Sequence, residues 1–197
     1  MGIGLSRIFE KGFNMYGFIA LLDKKTEEVV KEIWRDLKKQ SISYYAEEVE
    51  DRKPHITIAG YNRLEKSDFI RSMDQFYDSS PEVEIAFNTL GTFLNSGTLF
   101  LSPTISAPLS NFHRNHHDNF KKYNDNPESL YLPGNWIPHC TLANRLSHEK
   151  LCEAFAYCSH KLNTIKAKIA EVALIETIYE GGRCVAALEV YSKKLLF

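Results

Sequence analysis

The stretch KPHITIAG at residues 53–60 and the stretch IPHCTLAN at residues 137–144 place proline, histidine, threonine and alanine at the same offsets. Each reads as a short apolar strand opened by a proline, a position where the missing amide donor is tolerated. On a strand, residues i and i+2 project to one face, about 6–7 Å apart. His55 therefore points with Thr57, and His139 with Thr141. Ile56, Ile58, Cys140 and Leu142 point to the opposite, buried side.

Working outward, the chain reads alike around both motifs. A strand at 16–23 precedes a helix capped by Asp23 and running to about residue 40, with Val29, Val30, Ile33, Trp34 and Leu37 on its apolar face. The first motif strand (54–60) follows, then a helix from about Ser67 carrying Phe69, Ile70, Met73, Phe76 and Tyr77. Two strands come next, EVEIAFNTL (82–90) and TLFLSPTI (98–105), joined through an Asn-Ser-Gly turn. A helix at 108–123 presents Leu109, Phe112, His116, Phe120 and Tyr123. The second motif strand (138–143) leads to a helix from Ser147 that should bury Leu151, Phe155, Cys158 and Leu162. A long hairpin turning at Gly181-Gly182 closes the chain.

Both halves thus read helix, motif strand, helix, strand pair. Such repetition predicts one α+β domain over 1–197, built as two lobes from an internal repeat of about 16–103 and 104–197. The histidines stand 84 residues apart, and a two-fold arrangement would bring their strands to a shared cleft. The segment NDNPESLYLPGNW (124–136) lacks periodicity and leads into His139; it reads either as the wall or lid of a binding site or as a plain surface connection.

Composition narrows the function classes. Lys plus Arg total 24 against 25 for Asp plus Glu, so the chain lacks the basic surplus with which proteins grip long nucleic acids. A small anionic ligand or the end of an RNA needs only a local site. The four cysteines show no CxxC pairing, which argues against a zinc ribbon or a disulfide framework. No apolar run is long enough to span a membrane, and no signal-peptide pattern is seen. A cytoplasmic location and a monomer without an obligate protein partner are expected. MGIGLS fits a loose acylation pattern through Gly2 and Ser6.

The two motifs carry the chemistry. An imidazole exchanges a proton near neutral pH, and a threonine hydroxyl can donate to an anionic oxygen. Across a cleft, one neutral histidine can take a proton from the attacking nucleophile while the other, protonated, gives one to the leaving oxygen. The two hydroxyls can hold the non-bridging oxygens between them. This scheme requires neither a metal nor a cofactor. A single His-x-Thr is usually structural; two copies sharing four identities in equivalent strands are a far stronger signal.

The paired motifs HITI and HCTL, one in each half of an α+β repeat, resemble the 2H phosphoesterases, specifically their 2′-5′ RNA ligase and cyclic phosphodiesterase branch. The resemblance implies a bilobal fold with pseudo-two-fold duplicated lobes, antiparallel sheets lining a central cleft and helices outside. It implies hydrolysis of a cyclic or 2′-5′ phosphodiester, such as an RNA 2′,3′-cyclic phosphate end or a related nucleotide. His55 and His139 would be acid and base, and Thr57 and Thr141 would hold phosphate. Ligation through the same residues, or a lapsed nucleotide- or RNA-end-binding module, are the alternatives. Relatives acting on RNA often carry a basic residue just past the second motif; here Asn144 precedes Arg145, which becomes a candidate phosphate contact.

Other candidates surround this pair. Tyr16 and Trp136 are the aromatic side chains placed to stack on a base, since aromatic faces accept bases without sequence preference. Tyr61 also lies near a motif, whereas Phe18 reads as core. His113, His116 and His117 share a helix at metal-compatible spacing, but no Asp/Glu cluster or HExxH accompanies them and no metal site is expected; His116 falls in the apolar stripe and is expected to be half-buried. The pairs Arg52-Lys53, Lys121-Lys122 and Lys193-Lys194 read as solvated charges, although Arg52-Lys53 stands next to the first motif and could draw in an anion.

Overall fold

Each α-helix begins where a side chain takes up a free amide. Asp23 accepts the Thr26 amide at 3.0 Å and the Thr26 hydroxyl at 2.8 Å, starting α1 (Lys24–Lys39). Glu65 caps α2 (Lys66–Tyr77), Ser106 caps α3 (Ala107–Asn119) and Ser147 caps α4 (His148–Lys161). Such caps satisfy amides that the first turn leaves without intrahelical partners. The seven strands are β1 (Asn14–Leu22), β2 (His55–Tyr61), β3 (Val83–Thr92), β4 (Leu99–Pro103), β5 (Cys140–Ala143), β6 (Ile165–Glu180) and β7 (Arg183–Lys194). The computed structural model describes residues 14–196, so Gly2 and Ser6 lie outside the described residues.

All named strands pair antiparallel in one sheet, in the order β2-β1-β6-β3-β4-β5, with β7 also pairing β6. The 16-residue β6 is the spine. Its first residues, Ile165–Ile169, pair β3; Ile169–Ile178 pair β1, and 171–180 pair β7. One lobe is therefore β2, β1, β7 and most of β6, and the other is β5, β4, β3 and the start of β6. Each lobe draws strands from both halves of the sequence, so the repeat read from element order is interleaved in space. The expected α+β, antiparallel, two-lobed fold is what the chain adopts.

β2 and β5 occupy the two ends of this path, yet their Cα atoms come within 8 Å of each other without closing the sheet. The alternation holds on both: Ile56, Ile58, Cys140 and Leu142 are fully buried, and His55, Thr57 and Thr141 are half-buried. Burying each of these aliphatic side chains contributes about 1.5–3 kcal/mol. The core below pins each strand's face, since a one-residue slip would turn its imidazole inward.

Two expectations about packing are corrected. Phe155 is 44% exposed; α4 docks instead through Ala154 and Cys158, with Leu151 and Leu162 half-buried at its margin. His116 is not half-buried but fully enclosed. Its ring lies between Phe18 and Phe120, with centroids at 4.0 and 4.6 Å, and both nitrogens are bonded, Nε2 to the Tyr61 hydroxyl (2.7 Å) and Nδ1 to that of Tyr77 (3.0 Å). Its helix neighbours are also taken: His113 Nε2 donates to the Tyr131 carbonyl and His117 Nε2 to that of Ile58. Among the described residues, no helix is long and apolar enough to cross a membrane.

Candidate active site

The proline before each motif histidine does more than open a strand. It confines the preceding residue to extended backbone, and the carbonyl of that residue meets the imidazole two positions on. His55 Nδ1 donates to the Lys53 carbonyl at 2.7 Å, and His139 Nδ1 to the Ile137 carbonyl at 2.8 Å. A carbonyl only accepts, so Nδ1 carries the hydrogen in both neutral rings. Nε2 is then the atom left for chemistry in each, as an outer hydrogen bond sets which nitrogen is available.

The two histidines and two threonines line one cleft of about 370 Å³, together with Tyr16 and Arg145. Three larger surface hollows, about 670 Å³ beside Glu84 and Lys168, about 500 Å³ beside Ile42 and Tyr157 and about 490 Å³ beside Trp34 and Tyr44, hold neither motif. Chemistry, not size, selects the site.

Burial pushes the His55 pKa down to about 4; the nearby cations of Arg52 and protonated His139 act in the same direction, and the Lys53 carbonyl opposes them. Burial also lowers His139, against the pull of the Ile137 carbonyl. Phe93 meets the His139 ring edge-on, with centroids 4.9 Å apart. Both Nε2 atoms are therefore unprotonated at neutral pH in the free cleft, and an anion placed between them would raise the affinity of each for a proton.

The threonines are buttressed crosswise. Trp136 Nε1 donates to the Thr57 carbonyl at 2.8 Å, and Trp34 Nε1 to the Thr141 carbonyl at 3.2 Å. These are the only two tryptophans in the chain. The Tyr131 hydroxyl faces that of Thr57, and the Tyr45 hydroxyl that of Thr141. Residues preceding the first motif thus support the second, and those preceding the second support the first.

The other predicted residues divide. Tyr16 lines the cleft, half-buried, with its hydroxyl donating to Glu176 at 3.1 Å. Trp136 does not line it: the indole stacks on His113, with centroids 3.9 Å apart and planes within 6°, and serves Thr57 from behind. Arg145 reaches the cleft, but its guanidinium is 2.6 Å from Glu48. Gly97, at φ 63°, lets the β3–β4 turn approach the backbone just after Arg145: its carbonyl accepts the Leu146 amide at 3.0 Å, and a Cβ there would stand 2.3 Å from the Leu146 carbonyl oxygen. Tyr61 is core, bonded to His116. Cys140 is a buried thiol pushed up to about 12, and Lys53, the neighbour of Arg52, is paired with Glu189.

Sequence reasoning missed Tyr45 and Tyr131 as cleft residues and Trp34 as a buttress. Only Tyr131 left a signal, since it lies in the aperiodic 124–136 segment and its ring covers Gly60 of β2.

The fold and the paired imidazole–hydroxyl cleft define a two-histidine phosphoesterase architecture. A sequence model of the 2′-5′ RNA ligase superfamily matches residues 25–179, and the chain belongs to that superfamily, the 2H phosphoesterases. Among solved structures it is similar to Escherichia coli LigT complexed with 3′-AMP, at 14% identity and TM-score 0.59, over 94% of this chain and 99% of that one. It is also similar to TT0787 of Thermus thermophilus, at 14% identity and TM-score 0.59, over 92% and 97%. A third, described as a phosphoesterase, is 12% identical at TM-score 0.58, over 95% and 100%. At these identities the likeness is one of fold. No curated protein sequence matches.

Proposed function

We propose that this protein is a metal-independent phosphoesterase that hydrolyses a cyclic or 2′-5′ phosphodiester, such as the 2′,3′-cyclic phosphate at an RNA end. The observation that carries the reading is the duplicated Nδ1–H···O=C bond, which leaves Nε2 of His55 and of His139, in one cleft, without a hydrogen-bond partner among the described residues.

The anionic phosphodiester lies between the two imidazoles, its non-bridging oxygens receiving the hydroxyls of Thr57 and Thr141. Its charge raises the affinity of both rings for protons, and one ring enters the reaction protonated. The neutral Nε2 takes a proton from water as the water oxygen bonds to phosphorus. The other Nε2–H gives its proton to the ribose oxygen as the P–O bond breaks. Water is consumed, a phosphomonoester and a free hydroxyl form, and the histidines exchange protonation states. Tyr16 supplies an aromatic face for a base. Escherichia coli LigT forms complexes with 3′-AMP, ATP, NADP+ and phosphate, which supports a nucleotide-type ligand for this related cleft.

A ligation reading shares these residues. Because both histidines carry the same tautomer-setting bond, either can act as base, and a ribose 5′-hydroxyl in place of water would give a 2′-5′ linkage. The test is a substrate panel in EDTA: 2′,3′-cyclic nucleotides, cyclic-phosphate RNA ends and 2′-5′ oligoadenylate. Turnover of at least one is expected. Binding without turnover of any would make the protein a nucleotide- or RNA-end-binding module.

A further inference from the structure

One charged group in the cleft is only partly satisfied. Arg52 lines both the motif cleft and an adjoining hollow that also contains His55. Its side chain is 13% exposed, and its buried Nε–H has no hydrogen-bond partner among the described residues. The guanidinium rests on the Tyr45 ring, with Cζ 3.9 Å from the centroid, so one face is fixed. Asp51, left-handed at φ 50°, turns the chain immediately before it.

The nearest carboxylate is already used. Glu48 Oε2 lies 2.6 Å from Arg145 Nη2 and 3.9 Å from Arg52 Nη2. One carboxylate thus serves two guanidiniums, and it favours Arg145. Arg145 is the more exposed of the two, at 38%, and itself takes a left-handed φ of 56°. At this corner the cleft keeps an excess positive charge, fixed at Arg52, whose enclosed Nε–H is left without a partner among the described residues. Buried cations and donors are costly unless an anion completes them. A planar guanidinium with free N–H groups is suited to a phosphate oxygen.

We propose that Arg52, and not Arg145, is the cation that holds the substrate's phosphate in this cleft, with Glu48 tethering Arg145 away from that task. The proposal rests on the phosphoesterase reading and adds a phosphate-binding residue outside the two motifs. Arg52 is three positions before His55, so one short segment delivers the imidazole and the cation. It also explains how Asn144 can stand first after the second motif: Asn144 accepts from the Thr98 hydroxyl and the Arg145 amide and shapes the turn.

The experiment is titration of inorganic phosphate at low salt into the parent protein and into Arg52→Gln, Arg52→Lys and Glu48→Gln, with melting curves to establish folding. Loss of a charge-assisted bond should weaken phosphate binding by about ten- to a hundredfold in Arg52→Gln. Arg52→Lys should fall between it and the parent. Glu48→Gln should bind phosphate more tightly, because it removes the competing negative charge; a purely structural role for the cluster would not produce that gain. A folded Arg52→Gln with parental affinity overturns the proposal while leaving the phosphoesterase reading intact. If Arg52→Gln does not fold, NMR of the parent decides, with Arg52→Lys identifying the Arg52 Nε–H signal. A phosphate-dependent shift of that signal supports the proposal, and a signal unmoved at saturating phosphate overturns it. A parent that neither binds phosphate nor turns over a cyclic phosphodiester fails at the level of the phosphoesterase reading itself.

Discussion

Trp136 donates its indole N–H to the backbone carbonyl of Thr57 at 2.8 Å, and Trp34 makes the matching bond to Thr141 at 3.2 Å. The partners lie 79 and 107 residues apart. Among the described residues β2 and β5 end the hydrogen-bonded path of the sheet, so each has one edge without a strand bonded to it. The indoles bond those strands at the two threonines that line the cleft. Rigid support of this kind is what a catalytic group needs, because small misplacements are expensive in rate.

Trp136→Phe and Trp34→Phe keep an aromatic ring and remove only the donor. Each should lower kcat by about tenfold, as the threonine it supports drifts. The cost in stability should be about 1–3 kcal/mol for a carbonyl left without its partner. Steady-state kinetics beside chemical denaturation separates the two effects. An unchanged kcat in both variants would remove the positioning role.

His55→Ala and His139→Ala should each reduce turnover of a cyclic phosphodiester by at least about a hundredfold. The double variant should be little worse than the poorer single one, because residues acting as a unit are non-additive. Thr57→Val and Thr141→Val should weaken phosphate binding and turnover more mildly while the protein stays folded. Full activity in either histidine variant would end the two-histidine mechanism.

The direction of the imidazole shifts sets the pH profile. With one ring neutral and the other protonated in the reactive form, kcat/KM peaks midway between the two free-enzyme pKa values. Both are lowered, His55 to about 4, so the maximum should fall on the acid side of the ordinary histidine value of about 6.5. A pH–rate profile with its maximum above neutrality would contradict this assignment.

Acid should also loosen the fold before the carboxylates titrate. Burial holds His116 well below its ordinary pKa and His113 at about 4. In the unfolded chain these imidazoles take up protons near pH 6.5, and in the folded one they do not. The native state therefore binds fewer protons, and the stability present above pH 6.5 is lost as pH falls through the window toward 4. Melting temperature should decline between pH 7 and pH 5, above the range where Asp and Glu protonate. A flat melting temperature across that interval would mean that these rings are not held neutral.

Much of the site could be read along the chain because its signals are local. Strand period put His55 beside Thr57 and His139 beside Thr141, and the same alternation sent Ile56, Ile58, Cys140 and Leu142 inward. Asp23 and Ser147 announced their helices because a cap acts on amides only two or three residues away. Phe155 went wrong because the apolar face of α4 is broad and the sequence does not show which part of it meets the sheet.

Read locally, the sequence carried the two imidazole–hydroxyl units and the apolar faces of the strands that bear them, since each depends on residues within a few positions of one another. Tertiary structure alone decided that β2 and β5 meet, and that lobes built from both halves place Trp34 behind Thr141 and Trp136 behind Thr57. It alone tied Arg145 to Glu48 and set Arg52 over Tyr45 with its Nε–H unpartnered among the described residues. Those outcomes follow from how β6 is shared along its length between β3, β1 and β7. Such sharing is a balance of pairing and burial over the whole sheet, and no local window of sequence contains it.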